Sequence, residues 1–487
     1  MSGSAEGASG EHRVVFARLA RRGIVVGLDL GQIIALGVGL LVAIPSVFVG
    51  GAAALAMTSP IWAGAAAAAF VRIGGRTVVA WVPVVAHHLV RVVTGQTKYR
   101  ATPGQPTRVG RLALPGDGAA LRHYAEPTLG AAMVHDPHAR TLTAGLRVRH
   151  TAFMLADPGE QDRRARALGN ALAGFCTGTP MISRVQTLER TLPESGVSAE
   201  SYWRSHGVDD GGWASESYRQ LMDGSAPVSE RHESLISLSL DMRAAARQIR
   251  DAGGGVPGAA AVLARQLTLF ASRLPSLDLR HDGWLTPDDV ALILRGAYDP
   301  TTLNTLTRHG VGRQLATAGP LAITEEWGCM RADAAWQCVL WVAEWPRVQV
   351  PVDFLWPLLL TSGVRRSVSI TFEPIRHDKA MRSVRHELLE HESDARQRAK
   401  SDSLTSEAQR REYSDVARRE RELVAGAGDM RYVGLVTVSA PDKDSLQAAV
   451  QHVTIAAAEA QCELRVLYGE QAQAFIAGAL PLGRGLR

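Results

Sequence analysis

Residues Leu30–Val71 read LGQIIALGVGLLVAIPSVFVGGAAALAMTSPIWAGAAAAAFV, 42 residues without an Asp, Glu, Lys or Arg. About 20 apolar residues in a helix cross a hydrocarbon core ~30 Å thick. The stretch is too long for one span and suits two, Gln32–Val49 and Ala53–Val71, joined by a tight turn at Gly50-Gly51. The second span, with Gly64 followed by Ala65 to Ala69, is small enough on its surface to pack closely against another helix. A cleaved signal peptide fits poorly, because the apolar run starts late, is double and has no clear cleavage context. The alternative is a buried core hairpin, but soluble helices rarely lack all charge over such a length.

The flanks set the orientation. Arg13, Arg18, Arg21 and Arg22 precede the first span, Arg72, Arg76, Arg91, Lys98 and Arg100 follow the second, and the turn is uncharged. The positive-inside rule then places both termini in the cytoplasm of a two-span, multi-pass protein of the cell membrane. Segment 76–96 carries Val78, Val79, Trp81, Val82, Val85, Leu89, Val92 and Val93 among His87, His88 and Arg91. It reads as a helix lying at the membrane interface, the alternative being a helix packed on the soluble part.

The rest of the 487 residues is of another character, and the length suggests about three domains. Residues 1–100 have nine Lys/Arg against three Asp/Glu, while residues 101–487 have 44 against 45. A nucleic-acid-binding domain would show a basic face, so direct nucleic-acid binding is not expected. Cys176, Cys329, Cys338 and Cys462 form no C-x-x-C pair, which excludes a zinc ribbon and points to a reducing compartment.

Past the turn-rich 102–107 stretch, alternating apolar runs predict strands at 131–134 and 141–149 around the turn His135-Asp136-Pro137-His138. A helix at 158–176, a strand at 181–191, polar helices over 198–223 and a strand at 234–241 follow. Then come a long helix 242–274 broken at Gly253-Gly254-Gly255, the short run 277–280, and a helix opened by Thr286-Pro287-Asp288-Asp289. The second half repeats the order. Strands are predicted at 321–327, 336–345, 367–373, 432–439 and 462–468, and helices at Pro351-Val-Asp353, 445–459 and 471–478. The fold is therefore read as an N-terminal two-helix transmembrane hairpin followed by an α+β cytoplasmic region of two tandem antiparallel-sheet/helix units. The segments are a disordered basic N-terminus (1–23), the membrane hairpin and interfacial helix (24–100), a linker (101–130), a first unit (131–315) and a second (316–487).

The second unit has a charged helical hairpin at 375–424. Between Arg376 and Glu422 it holds twelve basic and eleven acidic residues, with one narrow apolar seam through Met381, Val384 and Leu388. The seam packs on its own sheet or serves a partner. Five tryptophans lie between Trp327 and Trp356, and strand 336–345 is apolar on both faces. Such a strand is covered twice, by a helix layer and by a further layer, either ordinary core or a partner domain.

No constellation carries catalysis. None of the four lysines follows a glycine, so there is no P-loop. His386 and His391 stand at i and i+5, about 140° apart around a helix, where zinc ligands need i and i+4. His135 and His138 lie in a hairpin turn, and Asp282–Asp289 lacks the final Glu of a calcium loop and reads as a helix cap. No catalytic, cofactor-binding or metal-binding residue is singled out, no cofactor is expected, and the chain is read as a non-enzyme.

Two resemblances arise from particular residues. The paired apolar spans, Gly74-Gly-Arg-Thr-Val-Val-Ala-Trp81 and the Arg91…Lys98-Tyr-Arg100 ending resemble the PrgI family of small membrane proteins. The charged insert, Gly434-Leu-Val-Thr-Val-Ser439, the helix after Asp444 and Gln471-Ala-Gln-Ala-Phe-Ile-Ala-Gly-Ala-Leu-Pro-Leu482 resemble the region preceding the motor domain of VirB-type conjugation ATPases. Nearly the whole chain is similar to an actinobacterial family of integral membrane proteins encoded in conjugative elements. The resemblance implies a non-enzymatic inner-membrane subunit of a type IV-like conjugation or secretion apparatus. Its implied partners are membrane lipid, a separate ATPase and other apparatus subunits, and a homo-oligomer is compatible with it. The alternative is an EccE-like component of a type VII secretion system, which also begins with two spans.

Overall fold

Asp29 opens the first helix through a capping box with Gln32, satisfying backbone N–H groups that a helix start leaves without partners. The structure is a computed structural model. It describes residues 28–102, 110–150, 156–177, 180–193, 210–225, 230–303, 314–400 and 407–485, together with 203, 206–208 and 305–306. The basic N-terminal arginines and residues 103–109 of the linker lie outside the described residues, as do residues 198–202 of the expected polar helices.

Helix α1 (Leu30–Met57) is 28 residues long and is long and apolar enough to cross a membrane. Within it Gly51 takes φ 58° and ψ −145°, a conformation that a Cβ disfavours, and the chain folds back there. Contacts run antiparallel around that point. The Gln32 amide donates to the Ala69 carbonyl at 2.8 Å, and the Thr58 hydroxyl donates to Ser46 at 3.1 Å. A Cβ on Gly39 would stand 3.3 Å from that of Ala65, the close approach small residues permit. The returning arm is not the single helix 53–71 expected from the sequence. It breaks at Thr58, and α2 (Ser59–Phe70) restarts with Pro60 in its first turn, where the missing N–H costs nothing. A two-residue ladder, β1 (Arg72–Ile73) with β2 (Arg76–Thr77), turns at Gly74-Gly75 and leads into α3 (Val78–Val93). These elements, with the tripeptide Tyr468–Glu470, form one compact unit.

The second unit comprises residues 98–467 and 471–485 and is built on one antiparallel sheet of 13 strands. The strands are β3 (Lys98–Arg100), β4 (Arg122–Ala125), β5 (Ala132–Asp136), β6 (Thr141–His150), β7 (Ile182–Pro193), β8 (Glu230–Asp241) and β9 (Leu279–Trp284). They continue with β10 (Ala322–Glu325), β11 (Met330–Ala332), β12 (Ala335–Glu344), β13 (Arg365–Ile375), β14 (Asp429–Ala440) and β15 (Glu463–Val466). Helices α4 (Pro158–Ala173), α5 (Trp213–Ser225), α6 (Ala246–Asp251), α7 (Gly255–Ala271) and α8 (Pro287–Tyr298) belong to the earlier half of the chain. The later half contributes α9 (Trp356–Leu359), α10 (His377–Lys400), α11 (Glu407–Val424), α12 (Lys443–Glu459) and α13 (Gln471–Ala479).

Across the sheet the order is β3-β10-β11-β12-β14-β13-β7-β8-β6-β5-β4, with β15 beside β12 and β9 beside β6. Apart from the added β3, the order is the same read inward from either edge. The sheet continues across residue 315, because β7 pairs with β13 from Val185 opposite Phe372 to Thr191 opposite Arg366.

Side-chain alternation along the strands sorts residues between two faces. On one face α8 and α13 share a single core, where Leu294, Tyr298 and Phe475 pack on Leu188, Leu235, Val339 and Leu435. The rings of Tyr298 and Phe475 stand 4.7 Å apart. On the other face two cores form. Helix α7 sets Val262, Leu263 and Leu267 on Leu142, Leu146 and Leu238, while α12 sets Leu446, Val453 and Ala457 on Leu340, Val436 and Val438. Buried amides close the ends of the shared layer. Gln337 donates to the carbonyls of Ala297 and Tyr298, and Gln186 to those of Ala477 and Leu480, so the carbonyls that helix ends leave free are satisfied. The chain after α13 lies over the first half, with Ser237 donating to the Pro481 carbonyl and Arg484 paired to Asp136 at 3.2 Å.

The helix expected to open at Pro351 is reduced to α9, four residues from Trp356. Its Pro357 suits the first turn of a helix, and the chain before it turns instead.

Candidate functional surface

The charged hairpin forms as expected, with α10 and α11 side by side. Its apolar seam belongs to the hairpin's own core. Val384 and Ala380 are fully buried and Leu423 nearly so, and Ile375, Met381, Leu388 and Val416 pack around them. The reading of this seam as a partner-binding stripe is therefore corrected, because each helix buries it against the other. Arg419 fastens the arrangement, pairing with Asp429 at 2.7 Å and Glu387 at 3.6 Å. What the hairpin presents outward is charge together with Leu389, Tyr413 and Val424.

The tryptophan-rich strand is corrected in the same way. In β12, Val339 and Trp341 face the core shared by α8 and α13, while Cys338, Leu340 and Val342 face α12. Both coverings come from the chain itself, so neither face of β12 is free for a partner domain. Trp336 lies at the edge of this core under the Lys443 ammonium, 5.3 Å from its ring, and Lys443 bonds Glu326 at 2.6 Å.

The histidines and acids set aside in the sequence fall in structural roles. His386 is exposed and pairs with Glu390 at 3.1 Å, whereas His391 is buried edge-on to Tyr413. His135 stacks edge-on with Tyr124, and burial followed by Arg122 holds its imidazole below the ordinary range. Asp136 accepts from the backbone N–H groups of His138 and Ala139, closing the β5–β6 turn. Thr286 and Asp289 form the capping box that starts α8, and Asp282 pairs with Arg149 at 2.8 Å. All four cysteines are buried thiols. Burial pushes Cys176 and Cys462 up to about 11 and Cys338 to about 12, so none is a ready nucleophile.

The cluster that the sequence reading missed lies where β6, β7 and β8 run side by side. Arg190 and Glu233 are cross-strand neighbours joined at 2.7 Å, both within the interior, and Arg147 adds a second contact to Glu233 at 2.9 Å. Burial alone would raise the Glu233 carboxyl, but Arg190 and Arg147 outweigh it and hold it below the ordinary carboxylate range. The adjacent cleft, about 530 Å³, is lined by Arg147, Arg149, Arg231, Glu233 and Asp282 with His150 and His232. Its cations are largely matched by carboxylates. The signal was faint in the sequence, where Glu233 falls one residue before the expected start of its strand.

On the other face of the same strands, Glu189 accepts from the Ser234 hydroxyl at 2.5 Å. Burial outweighs this bond and holds the Glu189 carboxyl above its ordinary range. A raised carboxylate favours folding below its unfolded pKa and loses that contribution as pH rises through the folded value. Glu189→Gln is therefore expected to raise the melting temperature by a few degrees at pH 7–8 and to change little near pH 4. A variant less stable than the parent at pH 8 would contradict this.

No protein-family model matches this chain, and no curated protein matches it.

Proposed function

We propose that the protein is a non-enzymatic, two-span inner-membrane subunit of a type IV-like conjugation or secretion apparatus, whose cytoplasmic region docks a separate ATPase. The observation that carries this reading is the charge-free hairpin. Its arms pack antiparallel about Gly51, and Leu41, Phe48, Val49 and Met57 stand out from it at 74–89% exposure. Apolar side chains exposed to that degree along two antiparallel arms suit lipid and do not suit water. The four buried, unpaired thiols agree with a reducing compartment for the large sheet unit. The mirrored strand order on either side of the β7–β13 junction supports the finer reading of two tandem units fused edge to edge. Docking of an ATPase rests on the resemblance of residues 375–482 to the region that precedes the motor in conjugation ATPases.

Thiol labelling in intact cells tests the topology. Gly51 is a poor reporter site because its backbone favours glycine, so Val49→Cys serves for the turn, and Arg163→Cys, on an exposed side chain, for the sheet unit. The Val49 site reacts with an impermeant reagent on whole cells, and the Arg163 site reacts only after permeabilisation. The opposite pattern overturns the orientation. Extraction in mild detergent is expected to recover a P-loop ATPase with the protein, and its consistent absence would remove the docking role.

A further inference from the structure

The polarity of α3 is inverted. In a helix on a water-facing surface the apolar stripe turns inward and polar residues face out. Here Val82, Val85, Leu89 and Val93, spaced three or four residues apart, are exposed at 39–85%. The other side of the helix carries Trp81, His88 and Arg91, and these are sheltered. Arg91 is only 7% exposed and donates to the Gly469 carbonyl at 3.1 Å, while the Trp81 indole N–H donates to the Ile73 carbonyl at 2.9 Å. His88 and Arg91 are turned into the unit, His87 alone of the helix's ionisable groups stays exposed, and the stripe through Val82, Val85, Leu89 and Val93 is left to Val and Leu. At 16 residues α3 is too short to span a bilayer, which leaves burial along the surface.

Charge gives the kind of surface. From Leu30 to Gly116 the sequence has no Asp or Glu, yet it holds seven Arg and Lys. Arg72 and Arg76 lie just before α3 in the chain, and Lys98 and Arg100 within seven residues after its end. A surface meeting neutral lipid has no need to exclude carboxylates, whereas one meeting anionic headgroups does.

We infer that α3 docks lengthwise on a bilayer of anionic phospholipid, its Val82–Val93 stripe among the acyl chains and Arg72 and Arg76, of the same compact unit, at the headgroups. The inference rests on the membrane-spanning reading of α1 and adds a second, lipid-selective contact to it.

The test uses the full chain reconstituted into vesicles of phosphatidylcholine, with or without phosphatidylglycerol. A fluorophore is placed on Leu89→Cys, and in a separate preparation on Leu41→Cys. Quenching by lipids carrying a nitroxide on the acyl chain reports contact. The Leu41 site, on the apolar face of α1, reports the spanning reading alone. The Leu89 site is expected to be quenched in vesicles containing phosphatidylglycerol. In pure phosphatidylcholine its docking equilibrium should fall about fivefold or more, the factor for one cation near a charged surface, and Arg72→Glu should cause a similar loss in the mixed vesicles. Quenching at Leu41 without quenching at Leu89 overturns the docking of α3 and leaves the spanning reading standing. Equal quenching at Leu89 in both vesicle types overturns the selectivity for anionic lipid. No quenching at Leu41 overturns the spanning reading and this inference together.

Discussion

Replacing Glu233 with Ala is expected to cost about 4 kcal/mol of stability, the range seen when one partner of a buried ion pair is removed. Arg190 is 2% exposed, and its bond to Glu233 at 2.7 Å is its main polar contact; the carbonyl of Ile293 stands at 3.5 Å. Without Glu233 the guanidinium loses the anion bonded to it, and Arg147 keeps the more distant Asp289 at 3.6 Å and the field of Asp282. The double variant Glu233→Leu with Arg190→Met removes both charges and keeps the volume, so most of the loss should be recovered. Equilibrium denaturation of the detergent-solubilised protein measures all three. A single variant within about 1 kcal/mol of the parent would show that the pair is not desolvated as described. The pH dependence gives a second check. Because the folded Glu233 carboxyl lies below its ordinary range, its contribution is complete above the unfolded value, about 4.3, and is lost as pH falls through the folded one. The gap between parent and variant should therefore be full at pH 7 and narrow in acid.

Val384→Ser and Leu389→Ser should part company although they lie five residues apart on one helix. Val384 is fully buried against Ala380 and Leu423, so Ser leaves a cavity and an unpaired hydroxyl, together costing about 3 kcal/mol. The loss falls on the α10–α11 hairpin, and limited proteolysis should cut there before the rest of the chain melts. Leu389 is 64% exposed, and its change should stay within about 0.5 kcal/mol. If the outer side of the hairpin docks the ATPase, Leu389→Ser weakens copurification while the melting curve is unchanged. If copurification is also unchanged, the hairpin's outer side is not the docking surface. A Val384→Ser protein as stable as the parent would mean that the seam is not core.

The local elements were written in local patterns. The period-two runs placed β12 at 336–345 against the observed Ala335–Glu344, and β14 at 432–439 against Asp429–Ala440. The Thr286-Pro287 signal placed the start of α8, and the charged hairpin was visible as paired helices with a single seam. Such features depend on neighbours three or four positions away, so propensity and pattern suffice. The apolar run 30–71 likewise foretold a fold-back at Gly50-Gly51, where the backbone does turn.

What the sequence by itself determined is therefore most of the longer elements and their order, the charge-free segment and its basic flanks, while the short strands β1 to β4 and β11 carried too few residues for a pattern. The tertiary structure decided which surfaces remain available. For the seam of α10 and for one face of β12 a partner was the alternative to ordinary core, and packing closed both, because the apolar side chains are buried against other elements of the same chain. The pairing of β7 with β13 and the meeting of Arg190 with Glu233 also came only from the fold. These two contacts join residues 43 positions apart or more, and an isolated Glu or Arg in a strand reads as solvent-facing until its neighbours bury it. On α3 the exposures reversed the usual expectation, since the outward side proved to be the apolar one. Periodicity gives a helix two faces, and only its packing says which of them is left outside.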